Sequence, residues 1–231
     1  MSDKSTRSAV NRAVSLLADR SLAAAPGDFL GREDTLLAEL GISRPTLRQA
    51  ARILEAEHLV AVRRGARGGF FAQRPQAEDV IRAPARFLRL NGATVADVHA
   101  ATKSIAEEVG ALAARCTDPE LRGRLDAFRD SIDANVSPGS VIAAETALAR
   151  LLAEMSGNPA AKLFIEIGYT FGRDEHHLHF YQSAEDRARA RALQRGVCDA
   201  VLAHDSEVAR LMMQRRSALV AEWLAREPAS G

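Results

Sequence analysis

Between Gly41 and Pro75 the sequence runs GISRPTLRQAARILEAEHLVAVRRGARGGFFAQRP, and few folds accommodate that run. Gly41-Ile42-Ser43 reads as a turn. Ser43 is a good N-cap, and Pro45 suits a first helical turn, where its missing N–H costs nothing. The spacing predicts a helix from about Arg44 to Glu57. Leu47, Ala50, Ala51, Ile53 and Leu54 can pack to one side of it, while Arg44, Arg48 and Arg52 recur every fourth residue along another. A short apolar strand is expected at Leu59 to Val62. The basic, glycine-rich segment Arg63 to Gly69 follows, and then a second short strand, Phe70 to Ala72. Seven arginines stand against Glu55 and Glu57 from Arg44 to Arg74, a local charge of +5.

A basic helix followed by a basic hairpin is built for a polyanion. A helix fits the DNA major groove with its N-terminal residues at base edges. Arginine suits bidentate contact with guanine or phosphate. Hairpin glycines let a backbone lie close to a sugar-phosphate strand.

Upstream, Pro26-Gly27-Asp28-Phe29-Leu30 precedes Glu33, Leu36, Leu37, Ala38 and Leu40, which read as a short helix over 33–40. An earlier helix is expected from a cap at Ser5 or Thr6 to about Asp19. With these residues in this order, residues 7–75 resemble the winged helix-turn-helix domain of the GntR family of bacterial transcription regulators. The resemblance implies that Ser43, Arg44, Thr46 and Arg48 meet DNA from the recognition helix, and Arg64 and Gly65 from the wing, with Arg67 beside them. The family commonly carries an arginine directly after the glutamate matched by Glu33, and that arginine touches the DNA backbone. Here Asp34 stands there, and Arg32 is the nearest substitute.

The charge is divided along the chain. Residues 1–75 carry 12 Lys/Arg and 8 Asp/Glu, the remainder 19 and 22, so +4 is joined to −3. That split fits one nucleic-acid-binding domain, 1–75, and a second domain with another task, 76–231. Ala and Leu are abundant after Pro75, and no strand-like alternation occurs. Helices are expected at about 77–91, 94–116, 118–135, 138–156, 158–181, 184–204 and 205–226, with Thr94 and Asp118 as caps. The fold class is therefore mostly α: a winged helix-turn-helix with a small β wing, then an antiparallel bundle of six or seven helices. No apolar run reaches the ~20 residues that span a bilayer, and Met1 to Arg12 lacks the apolar core of a secretion signal. A cytoplasmic protein is expected. Cys116 and Cys198, far apart and outside any zinc spacing, read as small buried thiols.

Glu107 with Leu112-Ala113-Ala114, then Ser156-Gly157-Asn158-Pro159, then Asp205 to Ala209 and Met213 resemble the FCD-type helical effector domain that accompanies one branch of the same family. Many such domains hold a divalent metal with one Asp and three His, and small carboxylic acids bind beside it. The resemblance carries those positions to Glu145, Ala149, Gln194 and Arg216, so the imidazoles are gone. A ligand-binding arginine of such domains falls on Thr102, next to Lys103. No metal and no cofactor are expected. Thr102, Glu145, Ala149, Gln194 and Arg216 are expected to line an effector pocket, with a Glu145–Arg216 ion pair in the metal's place.

The implied function is a ligand-responsive regulator, a repressor by resemblance. It would bind a near-palindromic double-stranded operator as a homodimer, its small-molecule effector a carboxylate or acyl compound. No nucleophile elbow, phosphate loop, HExxH or paired-carboxylate pattern supports an enzyme, and no membrane partner is implied. Two alternatives stay open. One is a metal-dependent sensor using His176 and His179, which share a helical face; the other is a DNA binder with a decayed effector site. His58, His99 and His204 read as surface or capping residues.

Overall fold

The computed structural model describes residues 2–65, 68–173 and 181–226. The chain divides into two compact units, residues 1–80 and 81–231.

The first unit contains α1 (Ser2–Ala23), β1 (Phe29–Gly31), α2 (Glu33–Leu40), α3 (Arg44–Ala56), β2 (Val60–Arg63) and β3 (Gly69–Ala72). Helix α1 starts ahead of the expected cap at Ser5 or Thr6 and continues past Asp19, because neither Gly nor Pro interrupts the chain before Pro26. Gly41 ends α2 in the left-handed region at φ 61°, with its N–H on the Leu37 carbonyl. A side chain would be strained there. Ser43 then caps α3, accepting from the Thr46 N–H at 3.4 Å, with Pro45 in the first turn. The buried face of α3 carries Leu47, Ala50, Ala51 and Leu54, packed with Leu17, Leu36, Val60 and Phe70. Each buried leucine contributes about 1.5–3 kcal/mol, so the tilt of α3 is fixed from below.

The sheet has the order β1-β3-β2, all antiparallel, with Val60 opposite Ala72 and Arg63 opposite Gly69. Strand β1 was not expected from the sequence; it pairs Phe29 with Phe71. Gly69 lets the strands close. At φ 154°, an added Cβ would sit 2.4 Å from the Phe29 ring and 2.8 Å from the Gly31 carbonyl. One contact anchors the hairpin to α3 and another braces its two strands. Val62 N–H donates to Glu55 Oε1 of α3 at 3.0 Å, and the Arg63 guanidinium lies 4.2 Å from the centre of the Phe71 ring. Beyond β3, Arg74 donates to the carbonyls of Ser21 (2.9 Å), Leu22 (3.0 Å) and Ala24 (2.6 Å). They lie at and just beyond the C-terminus of α1, where carbonyls run out of i+4 partners, although Ser21 also accepts from the Ala24 N–H at 3.1 Å. One side chain therefore caps the first helix from the far end of the unit.

The remaining helices are α4 (Ala77–Leu90), α5 (Val95–Ala113), α6 (Pro119–Ser131), α7 (Pro138–Met155), α8 (Pro159–Arg173), α9 (Ala184–Leu202) and α10 (Ser206–Leu224). The expected caps form. Thr94 and Asp97 make a reciprocal capping box, and Asp118 accepts from the N–H groups of Glu120 and Leu121. The helix expected over 118–135 is shorter: α6 stops at Ser131 and a 3-10 turn, Ile132–Ala134, follows. Of the helix expected over 158–181, α8 accounts for the part to Arg173; residues 174–180 lie outside the described residues. Helix α5 packs closely on α10, because Gly110 leaves room for Met213; a Cβ on Gly110 would meet Met213 Cγ at 2.5 Å. Val109, Leu125, Leu148, Leu152, Val197, Val201 and Met213 form the main core of this helical unit. Among the described residues no helix is long and apolar enough to cross a membrane.

Candidate functional site

The first candidate surface is a groove between α3 and the β2–β3 hairpin. Arg32, Arg48, Arg64 and Gly65, all expected on the DNA side, line it together with Arg52 and Arg63. Its five arginines against Glu33 and Glu55 leave it at +3. Ser43, Arg44 and Thr46 do not line this groove; they sit at the N-terminal turn of α3. Thr46 is turned inward, 9% exposed, with its hydroxyl 2.8 Å from that of Ser43. Its first task is to shape the turn. Arg67 lies outside the described residues.

Both α3 arginines nearest this turn are already engaged. Arg44 donates to Asp34 Oδ1 at 2.6 Å. Arg48 Nη2 stands 3.5 Å, and Arg44 Nε 3.9 Å, from Glu33 Oε1, an oxygen that is buried without a hydrogen-bond partner. Asp34, the residue that departs from the expected pattern, thus holds Arg44 of α3. A phosphate or base acceptor would compete with these carboxylates for the guanidinium groups.

The second candidate is a cavity of about 440 Å³ in the helical unit, walled by α5, α7, α8 and α10. Thr102, Glu145, Ala149 and Arg216 all line it. Gln194 does not; it is fully buried and donates to Glu145 Oε1 at 2.7 Å. Glu145 Oε2 accepts from Arg216 Nε at 2.6 Å and also pairs with Arg216 Nη2, which donates to the Tyr169 hydroxyl at 2.6 Å. The expected ion pair is therefore present and ties α7, α8, α9 and α10 to one another. Burial opposes the Arg216 charge, but Glu145 and Tyr169 outweigh it and the guanidinium pKa is raised. Burial likewise raises the Tyr169 phenol. A second pair closes another wall: Arg150 grips the buried Glu166 with Nε at 2.9 Å and Nη2 at 2.9 Å.

His99, Arg150, Tyr169 and Tyr181 also line the cavity, and sequence reasoning missed His99 and Arg150. The correction for His99 is the plainest: it is not a surface or capping residue. Its Nε2 lies 2.9 Å from the Ser217 carbonyl, an acceptor only, so Nε2–H donates. Burial lowers its pKa, the Ser217 bond opposes that, and the charges of Arg216 and Lys103 lower it further. The signal was present in part, since His99, Thr102 and Lys103 share one helical face.

This arrangement does not fit a divalent metal. The carboxylate at the family's metal position is saturated by a guanidinium and an amide, and Arg216 puts a fixed cation where an imidazole would be. Among the described residues no group of three or more His, Cys, Asp or Glu gathers as ligands. The His176–His179 segment lies outside the described residues.

Residues 20–71 match the family model "Bacterial regulatory proteins, gntR family". Comparison with curated proteins finds no match. Among solved structures, "Streptococcus agalactiae GntR" superposes with a TM-score of 0.64 at 16% identity, over 94% of this chain and 99% of that one. The structure reported under "Lar controls the expression of the Listeria monocytogenes agr system and mediates virulence" gives 0.50 at 15% identity, over 95% and 97%. At such identities the likeness speaks for the fold.

Proposed function

We propose, from the premise that residues 20–71 are a gntR-family helix-turn-helix domain, that this chain is a cytoplasmic transcription regulator and not an enzyme. It binds a double-stranded operator through α3 and the β2–β3 hairpin. The observation that carries the reading is the groove at +3 between these elements, with Arg32, Arg48, Arg52, Arg63 and Arg64 on its walls. Arg48 reads a base edge, and Arg64 and Gly65 approach the backbone. Two copies place two recognition helices on the halves of a near-palindromic site. The helical unit takes a small effector in its 440 Å³ cavity, within the size range of ligand pockets. The bound ligand shifts the population of DNA-competent arrangements, with release from a repressed promoter as the sense of the response.

The test is selection of binding sites from a random duplex library, followed by titration of the selected duplex and a scrambled one. Saturable binding with a preference of at least ~10³-fold at moderate salt and a stoichiometry of two chains per palindrome supports the reading. Equal affinity for both duplexes, or no affinity, overturns it.

A further inference from the structure

We propose that Glu33 and Asp34 are specificity-determining residues of the DNA surface: they retain Arg48 and Arg44 on any duplex whose bases are out of register and surrender them to the operator, while Arg32, Arg52 and Arg64 carry the sequence-independent grip. This rests on the DNA reading above and divides its arginines between two tasks.

The division follows from what each guanidinium holds in the free protein. Arg44 and Arg48 lie in the first two turns of α3, the end of such a helix that approaches base edges. Asp34 takes Arg44 at 2.6 Å, and Glu33 Oε1 stands 3.5 Å from Arg48. These four side chains sum to zero charge, so this end of α3 offers a polyanion no net attraction. Arg32, Arg52 and Arg64 line the groove beside them and have no ion-pair partner among the described residues. They come from three places: the residue ahead of α2, the third turn of α3, and the residue after β2. Three uncompensated charges thus face any phosphate strand laid in the groove.

The acids keep their places without the arginines. Glu33 and Asp34 open α2, where a helix N-terminus favours negative charge. Glu33 Oε1 is also buried without a hydrogen-bond partner, so drawing Arg48 away strands a carboxylate oxygen. What replaces Glu33 on the guanidinium then decides the balance. A phosphate can take the fork, but it brings a second negative charge toward the stranded acid. A guanine edge takes both fork nitrogens and is uncharged. Only a base in register presents that edge, so the exchange is favourable on the operator and not elsewhere.

Fluorescence anisotropy over a salt series, with the full chain on the selected operator and on a scrambled duplex, tests the division. Arg52→Ala should weaken both duplexes by the same factor and lower each slope of log K against log salt by about 0.9. Arg48→Ala should weaken the operator about tenfold or more and leave the scrambled duplex within about twofold. Both arginines are exposed, so these two variants decide the matter even if a change at Glu33 disturbs folding. Glu33→Gln should tighten the scrambled duplex up to about fivefold. E33Q/R48A should lose that gain, because a released Arg48 is what produces it. A gain that survives in E33Q/R48A means that Glu33 merely repels the duplex, and it overturns the proposal. So does an Arg48→Ala loss equal on both duplexes, or an Arg52→Ala loss confined to the operator. No affinity of the wild type for any duplex refutes the regulatory reading and this one with it. A strong operator preference that Glu33→Gln leaves untouched, with the scrambled duplex unchanged, refutes this one alone.

Discussion

Replacing Asp34 by Asn isolates the acid that pairs with Arg44 at the start of α3, the helix proposed to enter DNA. In the free protein Arg44 Nη2 lies 2.6 Å from Asp34 Oδ1, with the two side chains 58% and 81% exposed. An ion pair so open to water is worth about 0.2–1 kcal/mol, so Asp34→Asn should lower folding stability by no more than that. Its effect on DNA has the opposite sign. The wild-type chain must break this pair before Arg44 can reach a phosphate, and it then carries an uncompensated carboxylate against a polyanion. Removing the charge should strengthen binding to a scrambled duplex by up to about 1 kcal/mol, roughly fivefold, and steepen the slope of log K against log salt by about 0.9, the signature of one more neutralised phosphate. The selected operator should gain less, so discrimination falls. Fluorescence anisotropy at four salt concentrations on both duplexes measures each quantity. An unchanged slope on scrambled DNA, within a variant that folds normally, would falsify the idea that Asp34 withholds Arg44 from the backbone.

Arg64→Ala should reduce the salt slope by about one unit if the hairpin lies on the phosphate strand; an unaltered slope takes the wing out of the interface. His99 gives a pH dependence. Its folded pKa lies below the ordinary 6.5, so the unfolded chain binds more protons and stability falls as pH drops below about 6.5. Urea midpoints at pH 7.5 and 5.5 should differ less in His99→Gln than in the wild type, and an equal difference would refute the assignment. Cys198 is fully buried and its thiol is pushed up to about 12, mainly by burial. Native protein at pH 8 should therefore react with a thiol reagent at Cys116 well before Cys198, which mass spectrometry of the labelled peptides can order. Gly110→Val forces side-chain carbon into Met213 and should cost about 1–3 kcal/mol; a stability within error of wild type would show that α5 and α10 can separate freely.

What the sequence disclosed depended on whether the deciding partner was local. The turn at Gly41, the cap at Ser43, and the capped starts at Thr94 and Asp118 are written in residues one turn apart, and they appear where spacing places them. Strand β1 is three residues long, too short for alternation to register, and it exists because β3 offers it a pairing edge. His99 shares a helical face with Thr102 and Lys103, but its acceptor is Ser217, on a helix far along the chain, so its own stretch could not name its partner. The Glu145–Arg216 pair was anticipated through the family's metal positions. Gln194 came with the same positions, but it stands behind Glu145 and does not line the cavity. The departure at Asp34 was visible; its partner, Arg44, became clear only when the packing of α2 against α3 brought the two together.

The grip of Arg74 on the last carbonyls of α1 has a consequence for anyone who cuts or grafts this chain. A reader excised at the last residue of β3 would keep every strand and every recognition residue, yet its opening helix would fray from an uncapped end. Extended through Pro75, the same fragment keeps the seal. Chimaeras that join a foreign sensor after residue 76 should inherit that protection, and those spliced at residue 72 should not.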